Sequence, residues 1–259
     1  MKKILFVASE SVPFIKTGGL ADVVGSLPKS FPKEEFDVRV VIPNYTCIPW
    51  EYRSDFKYIT HFYMDLGQVS GSEYVGVLTT QYDGITFYFI DNQRYFGGNT
   101  PYGDTRFDIE KFCFFSKAAL SILPSINFKP DIIHCHDWQT GVLPVYLHTI
   151  FRDNHFYDNI KTIMTIHNLR FQGIWDIKTL QKITNFPDYV FRPTDMEYNK
   201  DANMLKGGMV YANYITTVSN SYKNEIQNDY YGEGLDGVVR QKSGDLYAPC
   251  PDGGSGCIR

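Results

Sequence analysis

No stretch of this sequence approaches the ~20 consecutive apolar residues that a membrane-spanning helix requires. The apolar run from Ile4 to Ala8 is followed by Glu10, which comes too early for the apolar segment of a secretory signal. We therefore expect a cytoplasmic protein and no association with a membrane.

An excess of positive charge is also missing, because 25 lysines and arginines face 29 aspartates and glutamates, for a formal net charge of −4. The isoelectric point near 5.9 gives no overall basic field of the kind that attracts a phosphate backbone. We therefore expect no nucleic acid partner, and a small or neutral substrate fits the composition better.

The five cysteines are an odd number and lack the paired spacing of zinc ligands. Cys47, Cys113 and Cys135 stand singly in apolar surroundings, as buried reduced thiols do. The sequence has no Asp-x-Asp pair, with which many metal-dependent transferases hold a divalent ion, and the loop after the first predicted strand is neither a GxGxxG nor a GxxxxGK[ST] phosphate loop. We expect no bound metal, no nicotinamide or other cofactor, and no disulfide framework.

Aromatic residues, by contrast, are plentiful at 16% of the chain, with 19 tyrosines and 19 phenylalanines. They can fill a core or line grooves that stack on sugar rings, and composition alone favours the core. The hydrophobic fraction of 43% and the charged fraction of 21% are those of an ordinary globular protein, and 259 residues suit one large domain.

Short apolar, β-branched runs alternate along the chain with segments of helical spacing. We predict strands at residues 3–8, 37–42, 131–135, 161–166 and 214–218, and helices at residues 19–30, 105–122, 139–151 and 201–212. This alternation predicts an α/β fold, a Rossmann-like parallel sheet with helices on both faces. Residues 74–78 and 85–90 flank Tyr82-Asp83-Gly84, which predicts a hairpin and an antiparallel edge.

The loop after the first predicted strand carries Lys16, Gly18 and Gly19 immediately before a helix. Open parallel sheets bind ligands beyond the carboxyl ends of their strands, where such loops lie. Glycine amides at a helix N-terminus and a lysine together suit a diphosphate. A glycine turn beside a solvated lysine is the alternative, and the spacing alone slightly favours it.

A second loop, His134-Cys135-His136-Asp137-Trp138, ends the predicted strand at 131–135. His134 and His136 point to the same face of a strand, which permits a metal pair, but no third ligand is near in the sequence. Buried imidazoles with hydrogen-bond partners are therefore favoured over a metal site. Asp137 either caps the following helix or faces the ligand crevice, and the sequence favours neither.

A third loop begins with His167-Asn168, a polar pair directly after the apolar strand at 161–166. A lone histidine is more often structural than catalytic, yet this one falls where the ligand-binding edge of the sheet is expected, so both interpretations stay open. The fourth loop, with Ser219-Asn220-Ser221, is interpreted as a helix cap.

Four motifs taken together carry a family resemblance. In chain order they are Lys16-Thr17-Gly18-Gly19-Leu20-Ala21-Asp22-Val23, His134-Cys135-His136-Asp137-Trp138, Thr165-Ile166-His167-Asn168 and Tyr231-Gly232-Glu233-Gly234-Leu235-Asp236-Gly237. From residue 1 to about residue 240 the chain resembles the bacterial glycogen synthase and plant starch synthase family, and the first motif is highly specific to it.

The resemblance implies the N-terminal domain of a two-domain GT-B glycosyltransferase, here residues 1–240. The implied reaction is transfer of glucose from ADP-glucose to the non-reducing end of an α-1,4-glucan acceptor, with retention of anomeric configuration and without a metal. The resemblance assigns catalytic roles to His167 and Asp137, and substrate-binding roles to Lys16, Gly18, Gly19, Asp22 and Asn168. Lys16 and the two glycines would contact the donor and its distal phosphate, and His167 would lie beside the transferred glucose.

Two departures from the family pattern concern the end of the sequence. The family continues into a second domain that clamps the phosphates and the glucose; this sequence does not contain it, so we expect the chain alone to be inactive or nearly so. Residues 241–259 are expected to form an irregular tail, in which the segment from Ala248 to Asp252 departs from the family pattern. An alternative function is an α-glucan-binding module that grips its ligand through surface aromatics and transfers nothing.

Overall fold

The computed structural model describes residues 1–248, which are organised around one large sheet. In chain order the strands are β1 (Lys2–Val7), β2 (Phe36–Pro43), β3 (Lys57–Asp65), β4 (Ser72–Tyr82), β5 (Ile85–Asp91), β6 (Ile132–His136), β7 (Lys161–Ile166), β8 (Ile174–Trp175), β9 (Glu197–Tyr198), β10 (Asp201–Asn203), β11 (Tyr214–Thr217) and β12 (Leu246–Tyr247).

The α-helices are α1 (Gly19–Ser26), α2 (Trp50–Arg53), α3 (Gln93–Phe96), α4 (Thr105–Ser121), α5 (Val142–His148), α6 (Ile177–Thr184), α7 (Met204–Tyr211), α8 (Asn220–Glu225) and α9 (Asp236–Gln241). Several of the connections contain short 3₁₀ helices. Within residues 1–248, no helix combines the length and the apolar character needed to cross a membrane.

The main sheet has nine strands in the order β12-β11-β7-β6-β1-β2-β5-β4-β3. From β12 to β5 all neighbouring strands are parallel, whereas β4 pairs antiparallel with both β5 and β3. Strands β8, β10 and β9 form a separate small antiparallel sheet. The predicted parallel sheet with an antiparallel edge is therefore confirmed.

The centre of the sheet is buried on both of its faces. Consecutive side chains of a strand point to opposite faces, and Leu5, Phe6 and Val7 of β1 are all 0% exposed. The neighbouring strand repeats this pattern with Val40 and Val41. Long apolar runs of this kind form central strands of α/β proteins because only a strand covered on both sides can bury every residue.

The predicted hairpin is formed by β4 and β5. Asp83 and Gly84 have φ angles of +50° and +77°, the left-handed values that a two-residue turn between twisted strands requires. The outermost strand, β3, was not predicted, because one of its faces is exposed and its sequence shows no continuous apolar run.

Three helix predictions agree with the structure in position. Helix α4 corresponds to the prediction at 105–122, and the Asp104 side chain caps it by accepting a hydrogen bond from Phe107 N at 3.1 Å. The prediction at 19–30 divides into α1 and a 3₁₀ helix at Leu27–Ser30, where Pro28 supplies no N–H. The prediction at 139–151 likewise divides into a 3₁₀ turn and α5.

The helix prediction at 201–212 is wrong for its first three residues, which form β10. Helix α7 begins only after Asn203, whose side chain accepts a hydrogen bond from Lys206 N at 2.9 Å as an N-cap. The polar residues just before β10, Asn199 and Lys200, resemble a helix start in sequence, but both have positive φ angles, of +53° and +73°, and form a turn.

The last described residues form an edge strand that was not predicted. Strand β12 pairs in parallel with β11, with Ile215 opposite Leu246. Of residues 241–259, for which the sequence predicts an irregular tail, residues 243–247 instead form a short 3₁₀ helix and β12, and residues 249–259 lie outside the described residues. The domain boundary near residue 240 stays a prediction.

The cysteines within the described chain agree in part with the sequence analysis. Cys113 and Cys135 are buried and free, as predicted. Cys47 is also free but only partly buried, because it lies in the connection between β2 and α2 rather than within the core.

Helices α5 and α7 approach closely at a glycine, which generates a prediction about stability. A Cβ built at Gly141 would lie 2.3 Å from the backbone oxygen of Met204, which cannot move without shifting α7. We expect Gly141→Ala to lower the free energy of unfolding by about 1–3 kcal/mol, measured by urea denaturation. Gly237→Ala is the matched control: its Cβ would meet nothing within 4 Å, so the free energy should stay the same or rise slightly. Equal effects of the two substitutions would contradict this account.

Candidate functional site

Three loops follow adjacent parallel strands at one edge of the main sheet. Strand β6 pairs with both β1 and β7, so the loops that leave the carboxyl ends of these three strands share one side of the molecule. The loop after β1 carries Lys16, the loop after β6 carries Asp137 and the loop after β7 carries His167. The topology therefore brings together residues that are far apart in the sequence.

The first loop has a buried base that fixes its path. Ser9 and Ser11 are 0% exposed, and the ring of Phe14 packs edge-to-face against Phe87 and Phe89 with centroids 4.9 Å and 5.0 Å away. Helix α1 lies against the same base, since a Cβ at Gly25 would lie 2.3 Å from Val12 Cγ2. Aromatic packing of this kind leaves the base of the loop little freedom to move.

Above this base, the segment from Lys16 to Gly19 is exposed. Gly18 has an extended backbone with φ −152° and ψ −171°, and a Cβ built at Gly18 or Gly19 would meet no heavy atom within 4 Å. Neither backbone strain nor crowding inside the chain therefore explains why glycine, rather than a larger residue, stands at these two positions. They present uncovered amides at the N-terminus of α1, where the helix dipole favours an anion.

Lys16 forms an ion pair with Asp22 of α1, with Nζ 2.8 Å from Oδ1. Each of the two side chains is 53% exposed, and exposed pairs of this kind contribute at most ~1 kcal/mol. An anionic ligand at the helix N-terminus can therefore attract the lysine away from Asp22 at little energetic cost.

A buried carboxylate supports the exposed segment from below. Glu10, which is 3% exposed, accepts hydrogen bonds from both the backbone N–H and the hydroxyl of Thr17, and from the Tyr102 hydroxyl. Burial and the neighbouring Glu10 carboxylate raise the pKa of Tyr102, so its hydroxyl stays a donor. Thr17 lies between Lys16 and Gly18, and this network fixes its backbone.

Asp137 follows β6 directly and adopts a strained backbone, with φ +56° and ψ −174°. Its side chain caps no helix and instead accepts a hydrogen bond from His167 N at 2.7 Å. The helix-cap interpretation is therefore wrong, whereas a position of Asp137 facing the ligand crevice stays a prediction. Burial raises the pKa of Asp137 to about 7, and nearby Glu10 adds to the rise, against the lowering effect of the His167 and Asn168 backbone N–H groups.

Three histidine rings form a contiguous row across β6 and the end of β7. The rings of His134 and His136 stack with centroids 4.3 Å apart, and His136 Nδ1 lies 3.0 Å from His167 Nε2. His134 Nε2 reaches Thr165 Oγ1 at 2.5 Å. Burial lowers the pKa of His134 to about 3 and that of His167 to about 4, and holds the pKa of His136 well below its usual range. All three rings are therefore neutral near pH 7.

Asn168 is exposed beside this row. Its side-chain oxygen accepts a hydrogen bond from Arg170 N at 3.1 Å, which forms a local turn. The Tyr222 hydroxyl accepts a hydrogen bond from Leu169 N at 2.8 Å and so attaches the loop to α8. That helix begins at the predicted cap, where Ser219 Oγ accepts from Tyr222 N at 3.1 Å.

Glu10 and Tyr102 are not among the site residues predicted from the sequence. Glu10 follows directly after a strand in the same loop as Lys16, and a carboxylate at that position was a usable signal. Tyr102 lies 92 residues further along, in the connection before α4, and no local pattern marks it. Within the described part of the chain no group of three or more His, Cys, Asp or Glu residues could hold an ion, so the disfavoured alternative of a metal pair at His134 and His136 finds no support.

Known proteins resemble the chain over almost its whole length. A family model described as the starch synthase catalytic domain matches residues 3–241. A glycogen synthase of Lachnospira eligens is 61% identical over 246 residues, which cover 95% of this chain and 51% of that protein. A glycogen synthase of Lachnoclostridium phytofermentans is 61% identical over 243 residues, with coverages of 94% and 50%. The chain thus spans about half the length of the curated relatives it matches.

A solved structure matches the fold as well. It is the catalytic domain of starch synthase IV from Arabidopsis thaliana bound to ADP and acarbose. The TM-score is 0.81 and the sequence identity 27%, over 95% of this chain and 51% of that one.

The buried neutral histidines generate a prediction about pH. Between pH 6.5 and about 4, His134, His136 and His167 bind protons in the unfolded chain but not in the folded one, so acidification lowers the free energy of unfolding. Asp137 acts in the opposite direction, because its folded pKa of about 7 lies above its usual 3.8. Three histidines less one aspartate leave a net uptake of two protons on unfolding, which predicts a fall of about 2–3 kcal/mol per pH unit between about pH 5.5 and 4.5, measured by urea denaturation.

The control for this prediction is His155→Gln, because the His155 side chain is 96% exposed and its substitution should leave the pH dependence unchanged. Asp137→Asn should steepen the fall, because it removes the opposing group. A free energy of unfolding that stays level between pH 6.5 and 4.5 would show that the three histidines are not held neutral.

Proposed function

Because the chain belongs to the starch synthase catalytic domain family, we propose that it forms the N-terminal, donor-binding half of a retaining glucosyltransferase. The reaction proposed for the whole protein is transfer of glucose from ADP-glucose to the non-reducing end of an α-1,4-glucan. The relatives named glycogen synthase, and a plant relative whose structure was solved with ADP and acarbose, support this choice of donor and acceptor. The family resemblance and the Rossmann-like GT-B half predicted from the sequence are both confirmed.

One observation carries the proposal: the exposed segment from Lys16 to Gly19 and His167 lie at the same edge of the sheet, over strands separated only by β6. A sugar nucleotide needs positive groups for its diphosphate and neutral polar groups for its sugar. The edge offers both kinds side by side.

The donor diphosphate is assigned to the N-terminus of α1. The open space in front of Gly18 and Gly19 allows phosphate oxygens to approach the amides, and Lys16 supplies a full positive charge. Charge that develops on the leaving diphosphate would be stabilised by these groups. Asp22, released from its ion pair with Lys16, becomes free to accept a hydrogen bond from a sugar hydroxyl.

The transferred glucose is assigned to the end of β7, beside His167 and Asn168. The hydrogen bond from His167 N to Asp137 fixes the backbone of this loop, and burial keeps the imidazole neutral. A neutral ring offers an oriented dipole to a developing oxocarbenium ion without opposing its positive charge.

A second candidate function, α-glucan binding without transfer, is favoured by a separate surface. The outward face of β3 and β4 carries four aromatic rings, those of Tyr58, His61, Tyr63 and Tyr74. Two of these side chains are largely exposed, Tyr58 at 59% and Tyr63 at 68%. The ring of Tyr74 lies 6.0 Å from that of Tyr63 and 5.6 Å from that of His61. A contiguous exposed aromatic face of this kind is typical of a binding surface.

We expect Lys16→Ala to weaken ADP-glucose binding to this chain at least tenfold, because a charge-assisted hydrogen bond to phosphate contributes ~1.5–3 kcal/mol. The measurement is isothermal titration calorimetry with ADP-glucose. Lys29→Ala is the matched control: Lys29 is partly exposed and, like Lys16, pairs with a single carboxylate, that of Asp83. Absence of ADP-glucose binding, together with sedimentation on glycogen that survives Lys16→Ala but not Tyr63→Ala, would favour the second function.

We expect Gly18→Ala to reduce ADP-glucose affinity about tenfold while changing the free energy of unfolding by less than about 0.5 kcal/mol. The added methyl group would meet no atom of the chain but would occupy the space assigned to the diphosphate. Gly244→Ala, which also meets nothing within 4 Å, should change neither quantity. Unchanged affinity in Gly18→Ala would place the diphosphate elsewhere.

A further inference from the structure

His136 is the most enclosed of the three histidines. Its residue is 0% exposed, and its ring contacts the ring of His134, with centroids 4.3 Å apart, and the ring of Phe6, with centroids 5.5 Å apart. The planes of both neighbours are inclined to it by 25° or less. The centroids of these two neighbours are also 4.7 Å apart, so the three rings form one packed group that holds the orientation of the His136 imidazole.

The two nitrogens of His136 have different surroundings. Nδ1 lies 3.0 Å from His167 Nε2, whereas Nε2 is fully buried and has no hydrogen-bond partner within residues 1–248. A neutral imidazole carries one proton, and only one of the two rings in this contact can donate. The contact therefore admits two arrangements, which differ in the tautomer of both rings.

The unpartnered nitrogen decides between these arrangements. If His167 Nε2–H donated, His136 would carry its own proton on Nε2, as a buried N–H without any acceptor, and orphaned buried N–H groups are rare in native proteins. If His136 Nδ1–H donates, Nε2 is a bare lone pair and no buried proton is left unpaired. The second arrangement requires His167 to accept at Nε2 and to carry its own proton on Nδ1.

We propose that His136 is a positioning residue that holds His167 as the Nδ1–H tautomer and so aims an N–H donor into the crevice. His167 Nδ1 makes no hydrogen bond within residues 1–248. It is also not fully buried, so it is open to a ligand. The role of this N–H as donor to a hydroxyl of the transferred sugar rests on the proposed function. The tautomer itself does not, because it is set in the ligand-free chain.

Nitrogen-15 NMR of the ligand-free chain tests the tautomer directly, since protonated and bare ring nitrogens have well-separated chemical shifts. The resonances of His167 are assigned by their disappearance in His167→Gln. We expect the Nδ1 of His167 to show the shift of a protonated nitrogen and its Nε2 that of a bare one. A wild-type spectrum with the proton of His167 on Nε2 overturns the proposal, whatever the outcome of any ligand-binding experiment.

Two variants separate hydrogen bonding from packing. His136→Phe keeps a ring packed against His134 and Phe6 but removes the donor, so His167 should shift to the Nε2–H form that free imidazoles favour in water. His136→Asn retains a side-chain N–H near the position of Nδ1 and should preserve the Nδ1–H form. If both variants leave His167 in the Nδ1–H form, or both shift it equally, the proposal fails.

Ligand affinity provides a second readout for the same variants. His136→Phe should weaken ADP-glucose binding several-fold and His136→Asn should restore most of the loss, although neither residue contacts the ligand. Suppose that Lys16→Ala and Gly18→Ala lose ADP-glucose binding while His167 of the wild-type chain carries its proton on Nε2. That combination would support the proposed function and overturn this inference. The reverse result would support the tautomer and contradict the donor site.

Discussion

The hydrogen bond from His167 N–H to the buried carboxylate of Asp137 is the interaction on which the geometry of the site depends. Asp137 occupies a backbone conformation that is rare outside glycine and costs ~1–3 kcal/mol, so its surroundings must hold it there. They do so at three points, because its N–H donates to Thr165 O, its carbonyl accepts from Thr140 N, and its carboxylate accepts from His167 N. The loops after β6 and β7 therefore form one rigid unit.

The sequence predicts the parts of this structure that local physics determines. Runs such as Leu5 to Val7 are apolar at every position because both faces of a central strand are covered, and the Asp83-Gly84 pair marks its turn because only such residues tolerate positive φ angles at low cost. The ends of these strands then locate Lys16, Asp137 and His167, because all parallel strands open towards one edge.

The remaining features depend on contacts that no local window contains. Tyr102 reaches Glu10 only because the connection before α4 crosses over the first loop, and the sequence around it carries no sign of that path. Strand β3 was missed because its outward side chains are exposed and therefore need not be apolar. The bond from His167 N to Asp137 is likewise absent from the sequence pattern, since the position of this carboxylate directly after a strand suits a helix cap equally well.

The spacing of strands in the sheet also sets the distance between the loops that follow β1 and β7. Neighbouring strands lie ~4.8 Å apart, and two steps separate β1 from β7, so their loops leave the sheet roughly 10 Å from each other. Backbone hydrogen bonds maintain this gap, and no substitution of a loop side chain alters it. On the proposed function, this fixed distance selects ligands whose anionic and neutral groups are about as far apart as the two loops. Substitutions in either loop can change which chemical group is bound there without changing the distance between the two binding positions.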